Sequence, residues 1–246
     1  MEHLTKAQFL TGKKVIILGG SAGIGLATAK AAAAEGAQII IVSSNQQRID
    51  KALAELPNGS QGFAVDLGDE QQIQNFFNNT GKFDHLIYTA GDALTISNIE
   101  DTVIDNAKQF FNLRYWGAFA AVKYAMPHIN TGGSIVLTGG SAGARPGSGW
   151  SLGASVCAMM EGFTRAMAVE LAPIRVNLVV PGIVKTDLWN NMPDADRDGM
   201  YAHFKETLPV KFVAEAADIA ESYLYLMRQQ YSTGQSVVVD GGYVLV

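Results

Sequence analysis

Short, almost uninterrupted apolar runs recur along the chain, separated by stretches of helical period. The runs 14–18 (KVIIL), 38–42, 62–65, 85–88, 134–138, 175–180 and 236–239 are each four to six residues long. They do not alternate apolar with polar, which is the pattern of strands buried on both faces of a parallel sheet. Between them, residues 24–34, 46–56, 70–79, 102–126 and 214–228 read as helices. Gly36 stands as a C-cap after the first and Pro57-Asn58-Gly59 stops the second. The stretch 158–171 repeats Ala158, Met159, Gly162, Phe163, Ala166 and Met167 at helical spacing. Residues 186–212 carry Pro, Asp and Asn without a clear period and read as a mobile cap over a site. Strands that alternate with helices predict an α/β fold: a doubly wound parallel sheet of about seven strands with helices on both faces. No linker, repeat or low-complexity segment divides residues 1–246, so one domain is expected.

Composition narrows the partners. The chain has 246 residues, 48% of them hydrophobic, and a net charge of −5. Its longest basic run is Lys13-Lys14, which argues against nucleic acid. The single cysteine excludes an internal disulfide and a multi-cysteine metal site, and no metal is expected. No apolar stretch reaches the ~20 residues of a membrane span. The N-terminal MEHLTKAQFLTGKK lacks the basic-then-apolar order of a signal peptide. A cytoplasmic protein without membrane contact is the expectation.

The first candidate chemistry follows the first strand at once. Gly19, Gly23 and Gly25 are spaced G-x-x-x-G-x-G, with Ser21 and Ile24 among them, between a strand and a helix. Such a turn lets a diphosphate approach backbone N–H groups without a Cβ in the way, at the positive end of a helix. A tight turn with no ligand is the bland reading, and the strand–turn–helix context weighs against it.

The turn resembles the T-G-x-x-x-G-x-G fingerprint of the short-chain dehydrogenases/reductases, with Leu18 in place of the Thr. Asp66-Leu67 resembles the pair that contacts adenine in that family. Tyr88-Thr89-Ala90-Gly91 resembles its N-N-A-G turn with both Asn replaced. Asn112 in FFNLRYWG matches its helix Asn, and Pro181-Gly182-Ile183-Val184-Lys185-Thr186 its nicotinamide- and phosphate-contacting segment. TGQSVVVDGG matches its C-terminal signature. The resemblance runs from about Gly12 to Gly242 and implies a single-domain Rossmann fold, a nicotinamide dinucleotide, and a homodimer or homotetramer built through the helices around 102–126 and 150–171.

Which dinucleotide is read from the end of the second strand. NAD users of this fold place a carboxylate there for the ribose 2′-hydroxyl. Here the segment is Ser43-Ser44-Asn45, with Arg48 one turn on. Hydroxyl and amide donors with an Arg suit a 2′-phosphate, so NADP(H) is expected rather than NAD(H). A helix N-cap at Ser44 or Asn45 is the coexisting bland role.

The same resemblance exposes a gap. EGFTRAMAVELAPIRVN anchors the register of the family's active-site helix, and there Gly153 stands at the Tyr position, Cys157 at the Lys position and Gly140 at the Ser position. Only Asn112 remains of the four catalytic residues the resemblance implies, and a backbone-bonding role alone accounts for it equally well. Ser141, one residue beyond the vacated Ser position, is the tentative substitute; loop capping is its bland role. Trp150 is either a stacking surface or filler, Tyr115 either a donor on the face of Asn112 or a core residue, and His203 either a donor or a solvated side chain.

Two functions are expected from this. One is an atypical NADP(H)-dependent oxidoreductase that reduces a flat, quinone-like or activated carbonyl substrate with water as proton source. The alternative is a catalytically inactive NADP(H)-binding sensor or partner subunit.

Overall fold

The computed structural model describes residues 9–94 and 96–246. Residues 1–8, on which the reading of the N-terminal leader and part of the single-domain expectation fall, lie outside them. Seven strands form one parallel sheet: β1 (Lys14–Leu18), β2 (Gln38–Ser43), β3 (Gln61–Ala64), β4 (Phe83–Tyr88), β5 (Ile129–Thr138), β6 (Arg175–Pro181) and, after two short strands, β9 (Ser236–Val239). Their order is β3-β2-β1-β4-β5-β6-β9. The short pair β7 (Val184–Lys185) and β8 (Ala214–Glu215) makes a separate two-stranded sheet. The switch in winding direction falls between β1 and β4, which pair in parallel.

The central strands feed two cores, while the edge strand β3 is largely exposed. Ile16, Leu18, Leu86, Tyr88, Ile135 and Leu137 face one side, with Ile73, Phe76 and Phe77 of α3 (Glu70–Thr80), the alanines of α5 (Ala118–Ala125), and Met160 and Phe163 of α6 (Ser151–Glu170). Val15, Ile17, Ile39, Ile41, Ile87 and Val136 face the other, with α1 (Gly23–Ala34), α2 (Gln46–Leu53) and α8 (Ala216–Arg228). The period of two is present after all; both phases are apolar because both faces are covered.

Three elements depart from the expected pattern. The helix expected over 102–126 is not one helix. It runs as α4 (Ile104–Phe111), a wide π-helical turn (Asn112–Gly117) and α5, with 3₁₀ turns at Ile99–Asp101 and Met126–His128. Gly117 allows the break to pack: a Cβ there would lie 2.3 Å from the Leu67 carbonyl and 2.6 Å from the Tyr88 hydroxyl. The aperiodic segment 186–212 contains a 3₁₀ turn (Asp187–Trp189) and α7 (Asp194–Thr207). None of the residues of α7 is fully buried, and a helix polar nearly all round leaves no apolar stripe to read. The second helix stops at Leu53, short of residue 56.

At the opposite end of the sheet from the site, His85 is 4% exposed and its Nδ1 lies 2.8 Å from the Ser134 hydroxyl. Burial pushes the imidazole down to about 4, against the raising effect of Asp84. The unfolded chain therefore binds the extra proton first. Stability from this group is complete above the ordinary value of 6.5 and is lost as pH falls towards 4. Thermal unfolding followed between pH 7.5 and 4.5 should show a loss of up to about 3 kcal/mol from this one group, and His85→Asn should flatten the profile over that range.

Candidate functional site

The C-terminal ends of the strands surround a cavity of about 870 Å³, in the place where open α/β sheets bind ligands. Its first wall is the glycine turn. Gly19 and Gly25 are forced there by crowding: a Cβ on Gly19 would lie 2.6 Å from the Ala90 backbone nitrogen, and one on Gly25 2.2 Å from the Gly19 carbonyl oxygen. Gly23 differs. It has φ +50, and the nearest atom to an added Cβ is a Thr186 methyl at 3.4 Å. The turn leads into α1, whose N-cap Ala22 offers no side-chain hydrogen bond. The first N–H groups of α1 thus lack a side-chain cap at the cavity wall, the arrangement that receives a phosphate.

The cavity gathers most of the residues singled out in the sequence. Gly19, Ser21, Gly23, Ile24 and Gly25 line it beside Ser43, Ser44 and Arg48. Asp66 and Leu67, then Thr89, Ala90 and Gly91, continue the wall, followed by Asn112, Ser141, Pro181, Gly182, Ile183 and Thr186. Asn45 does not line it. Its side-chain oxygen accepts the Arg48 N–H at 3.0 Å and caps α2, so the capping role falls to Asn45 and leaves Ser44 to the cavity.

Several of these side chains are held by the fold. Thr89 donates to the Leu18 carbonyl at 3.1 Å and ties the end of β4 to the glycine turn. Asp66 accepts the Gly68 N–H at 2.9 Å. Asn112, at the start of the π turn, donates to the Gly68 carbonyl at 3.1 Å. Thr138 donates to the Tyr88 carbonyl at 2.6 Å. Ser141 is buried and opens a 3₁₀ turn.

Of Trp150, Tyr115 and His203, Trp150 alone lines the cavity. Its ring centroid is 6.2 Å from that of Trp189, which is buried and donates to the Val184 carbonyl. With Ile183, Val213 and Leu94 they form an apolar cluster under α7. Tyr115 packs instead against Trp116 and Phe163, and His203 lies edge-on to Phe204 on α7. Sequence reasoning missed Arg114, which also lines the cavity. Two residues after Asn112, it would lie on the far side of a regular helix.

Gly140, Gly153 and Cys157 share the cavity wall. A Cβ on Gly140 would meet the Cys157 Sγ at 3.0 Å, and one on Gly153 would rest 3.8 Å from the Trp150 ring.

The family profile described as "Enoyl-(Acyl carrier protein) reductase" matches residues 19–244. "Short-chain dehydrogenase/reductase fsr5" of Gibberella fujikuroi is 32% identical over 254 residues, 96% of each chain. The chain is a short-chain dehydrogenase/reductase. Among solved members of the family, a small-chain dehydrogenase in complex with NADPH is 35% identical, with a TM-score of 0.85 over 95% of this chain and 99% of that one. The MalC reductase/Diels-Alderase from Malbranchea aurantiaca is 28% identical, with a TM-score of 0.90 over 97% and 99% of the two chains. Short-chain dehydrogenases/reductases are oxidoreductases that bind a nicotinamide dinucleotide, and the open Gly23 and the N-terminus of α1 fit its diphosphate.

The chemistry of Cys157 can be measured directly. Burial pushes its thiol up to about 11, against the opposing effects of the Gly143 N–H and the Arg114 charge. The thiol is therefore neutral at pH 8. A disulfide reagent that titrates thiolates should release no more than a small fraction of one equivalent from the native protein at pH 8, and one full equivalent after denaturation.

Proposed function

We propose that this short-chain dehydrogenase/reductase is an NADP(H)-dependent reductase of an electron-poor carbonyl, a quinone or an activated ketone, and that it works without an acidic hydroxyl of its own. One observation carries the reading: Gly140, Gly153 and Cys157, which the resemblance places at the family's Ser, Tyr and Lys positions, share the wall of the cavity that holds the glycine turn. Glycine transfers no proton, and a thiol held near 11 is a poor acid at neutral pH. Losing positioned acid–base catalysis costs about 10²–10⁴-fold. The substrate of such a site is one whose reduced oxygen needs little help from an acid.

NADPH would supply the hydride. Ser43, Ser44 and Arg48 line the cavity at the end of β2 with no carboxylate among them, which suits a 2′-phosphate. Pro181 to Thr186 and Thr89 to Gly91 would border the nicotinamide half, and Asn112 and Ser141 the reacting end. Trp150, Trp189 and Leu94 give the substrate a flat apolar wall, with the segment 186–212 and its helix α7 as the cap. The exposed rings of Trp116, tilted against Phe119, and of Phe119, stacked on Phe163 of α6, suit burial against a second copy in a homodimer or homotetramer. The vacated proton-donor positions also favour a second reading, a non-catalytic NADP(H) sensor or partner subunit.

Single-turnover loss of NADPH absorbance, with protein in excess, tests the choice against quinones, dicarbonyls and simple ketones. Oxidation by quinones or dicarbonyls but not by simple ketones is expected. Tight NADPH binding with no oxidation by any acceptor would select the sensor reading. For the cofactor, Arg48→Ala should weaken NADPH binding about tenfold and leave NADH within twofold, about 1.4 kcal/mol of phosphate recognition.

A further inference from the structure

Arg114 is a cation in the cavity wall that the functions considered so far do not use. It sits in the π turn Asn112–Gly117 and is half-buried. Its guanidinium donates to the Asp92 carbonyl and lies over the Phe110 ring, Cζ 4.4 Å from the centroid. A Cβ on Gly91 would meet it at 3.6 Å, so the side chain is wedged against the backbone of the loop after β4. Of its five N–H donors, only the one to Asp92 is engaged among the described residues. None of the carboxylates of those residues is within ion-pairing distance of it. Its charge is felt first by the Asp92 carboxylate and then by Cys157 and Tyr88. A half-buried cation with spare donors is costly unless a ligand brings the acceptor.

The surroundings select that ligand. On the cap side Leu94, Trp150 and Trp189 form an apolar, aromatic patch of the wall, beside the polar Asp187, Asn190 and Asn191. Thr138 already donates to the Tyr88 carbonyl. A flat apolar body presenting one electron-rich oxygen satisfies both the aromatic wall and the guanidinium. We propose that Arg114 is the catalytic residue that receives the substrate oxygen as it gains negative charge.

This inference rests on the reductase reading above. Hydride arrival forms a C–H bond at the carbonyl carbon and moves the C=O π pair onto oxygen. The hydride and its two electrons come from the bound reduced dinucleotide, which leaves oxidised. The guanidinium stabilises the oxyanion as a fixed charge and gives up no proton. Water then protonates the oxygen, and the buffer neutralises the hydroxide left behind. A preorganised donor of this kind is worth about 10²–10³-fold in rate.

The test has a binding arm and a rate arm. With NADP⁺ saturating, two probes of the same flat shape are titrated by quenching of tryptophan fluorescence: 2-hydroxy-1,4-naphthoquinone, an anion at neutral pH, and menadione, which is neutral. The protein should bind the anion at least about tenfold more tightly, a charge-assisted bond's worth. Arg114→Gln should abolish that preference with menadione unchanged within about twofold, and Arg114→Lys should keep part of it. Equal binding of the two probes, a preference that survives in Arg114→Gln, or binding of neither overturns the proposal. In single turnover with menadione, Arg114→Gln should slow NADPH oxidation by about 10²–10³-fold, with the NADPH dissociation constant within about threefold of the parent. Methylguanidine should restore part of the rate to Arg114→Gly. A matching loss of NADPH affinity would assign the residue to the cofactor and overturn the proposal. A parent protein that prefers the anion through Arg114 yet oxidises no NADPH would defeat the reductase reading while upholding Arg114 as the anion's partner.

Discussion

The close approach of α1 to the end of β1 is the constraint on which the rest of the site depends. The Gly25 backbone lies so near the Gly19 carbonyl and the Thr89 hydroxyl that a Cβ would sit 2.2 Å from one and 2.6 Å from the other. Gly19 is held as closely against Ala90. The ends of β1, α1 and β4 therefore converge with only backbone and the Thr89 hydroxyl between them. That convergence fixes where α1 begins, aims its uncapped N–H groups across the strand ends, and brings the loop after β4 to the rim of the same cavity. The two cores on either side of the sheet keep the convergence rigid.

The cavity that results has two unlike ends. One is polar and backbone-lined, shaped by glycines and a helix terminus. The other is lined by the rings of Trp150 and Trp189, and Arg114 lines the same cavity. At the second end the small residues are interdependent. The Cys157 thiol occupies the space next to Gly140, so a side chain at 140 would compete with it, and Trp150 leans over Gly153. Positions 140 and 157 are thus coupled, whereas a Cβ at 153 would make only ordinary contact with the Trp150 ring at 3.8 Å.

Much of this was legible in the sequence because burial on both faces leaves an unmistakable run of apolar residues. All seven strands of the main sheet fell where KVIIL, QIIIV and their successors lay, and the glycine turn marked the cavity's first wall. The connections were harder. The helix α7 is polar nearly all round, so it carries no stripe, and Met200, Tyr201 and Phe204 reach the Trp189 cluster only at its edges. The break at Asn112 has no proline to announce it; its cause is the tight pass of Gly117 under Leu67 and Tyr88, a tertiary contact. The same break hid Arg114, because helical spacing places it away from Asn112, and it sent Tyr115 to the outer aromatic cluster rather than the site. Asn45 was legible as a cap and as a ligand together, and its bond to the Arg48 N–H shows the capping role.

A wide turn is also the form taken by one residue more than a regular helix holds. In the π turn the surplus is absorbed locally, between α4 and α5. A lineage can thus lengthen this element by a single codon without disturbing the fold, and in doing so change which side chains of one helix look inward. The segment Asn112–Gly117 is a place where evolution can redirect a charge towards a cavity by insertion, with every strand left in register.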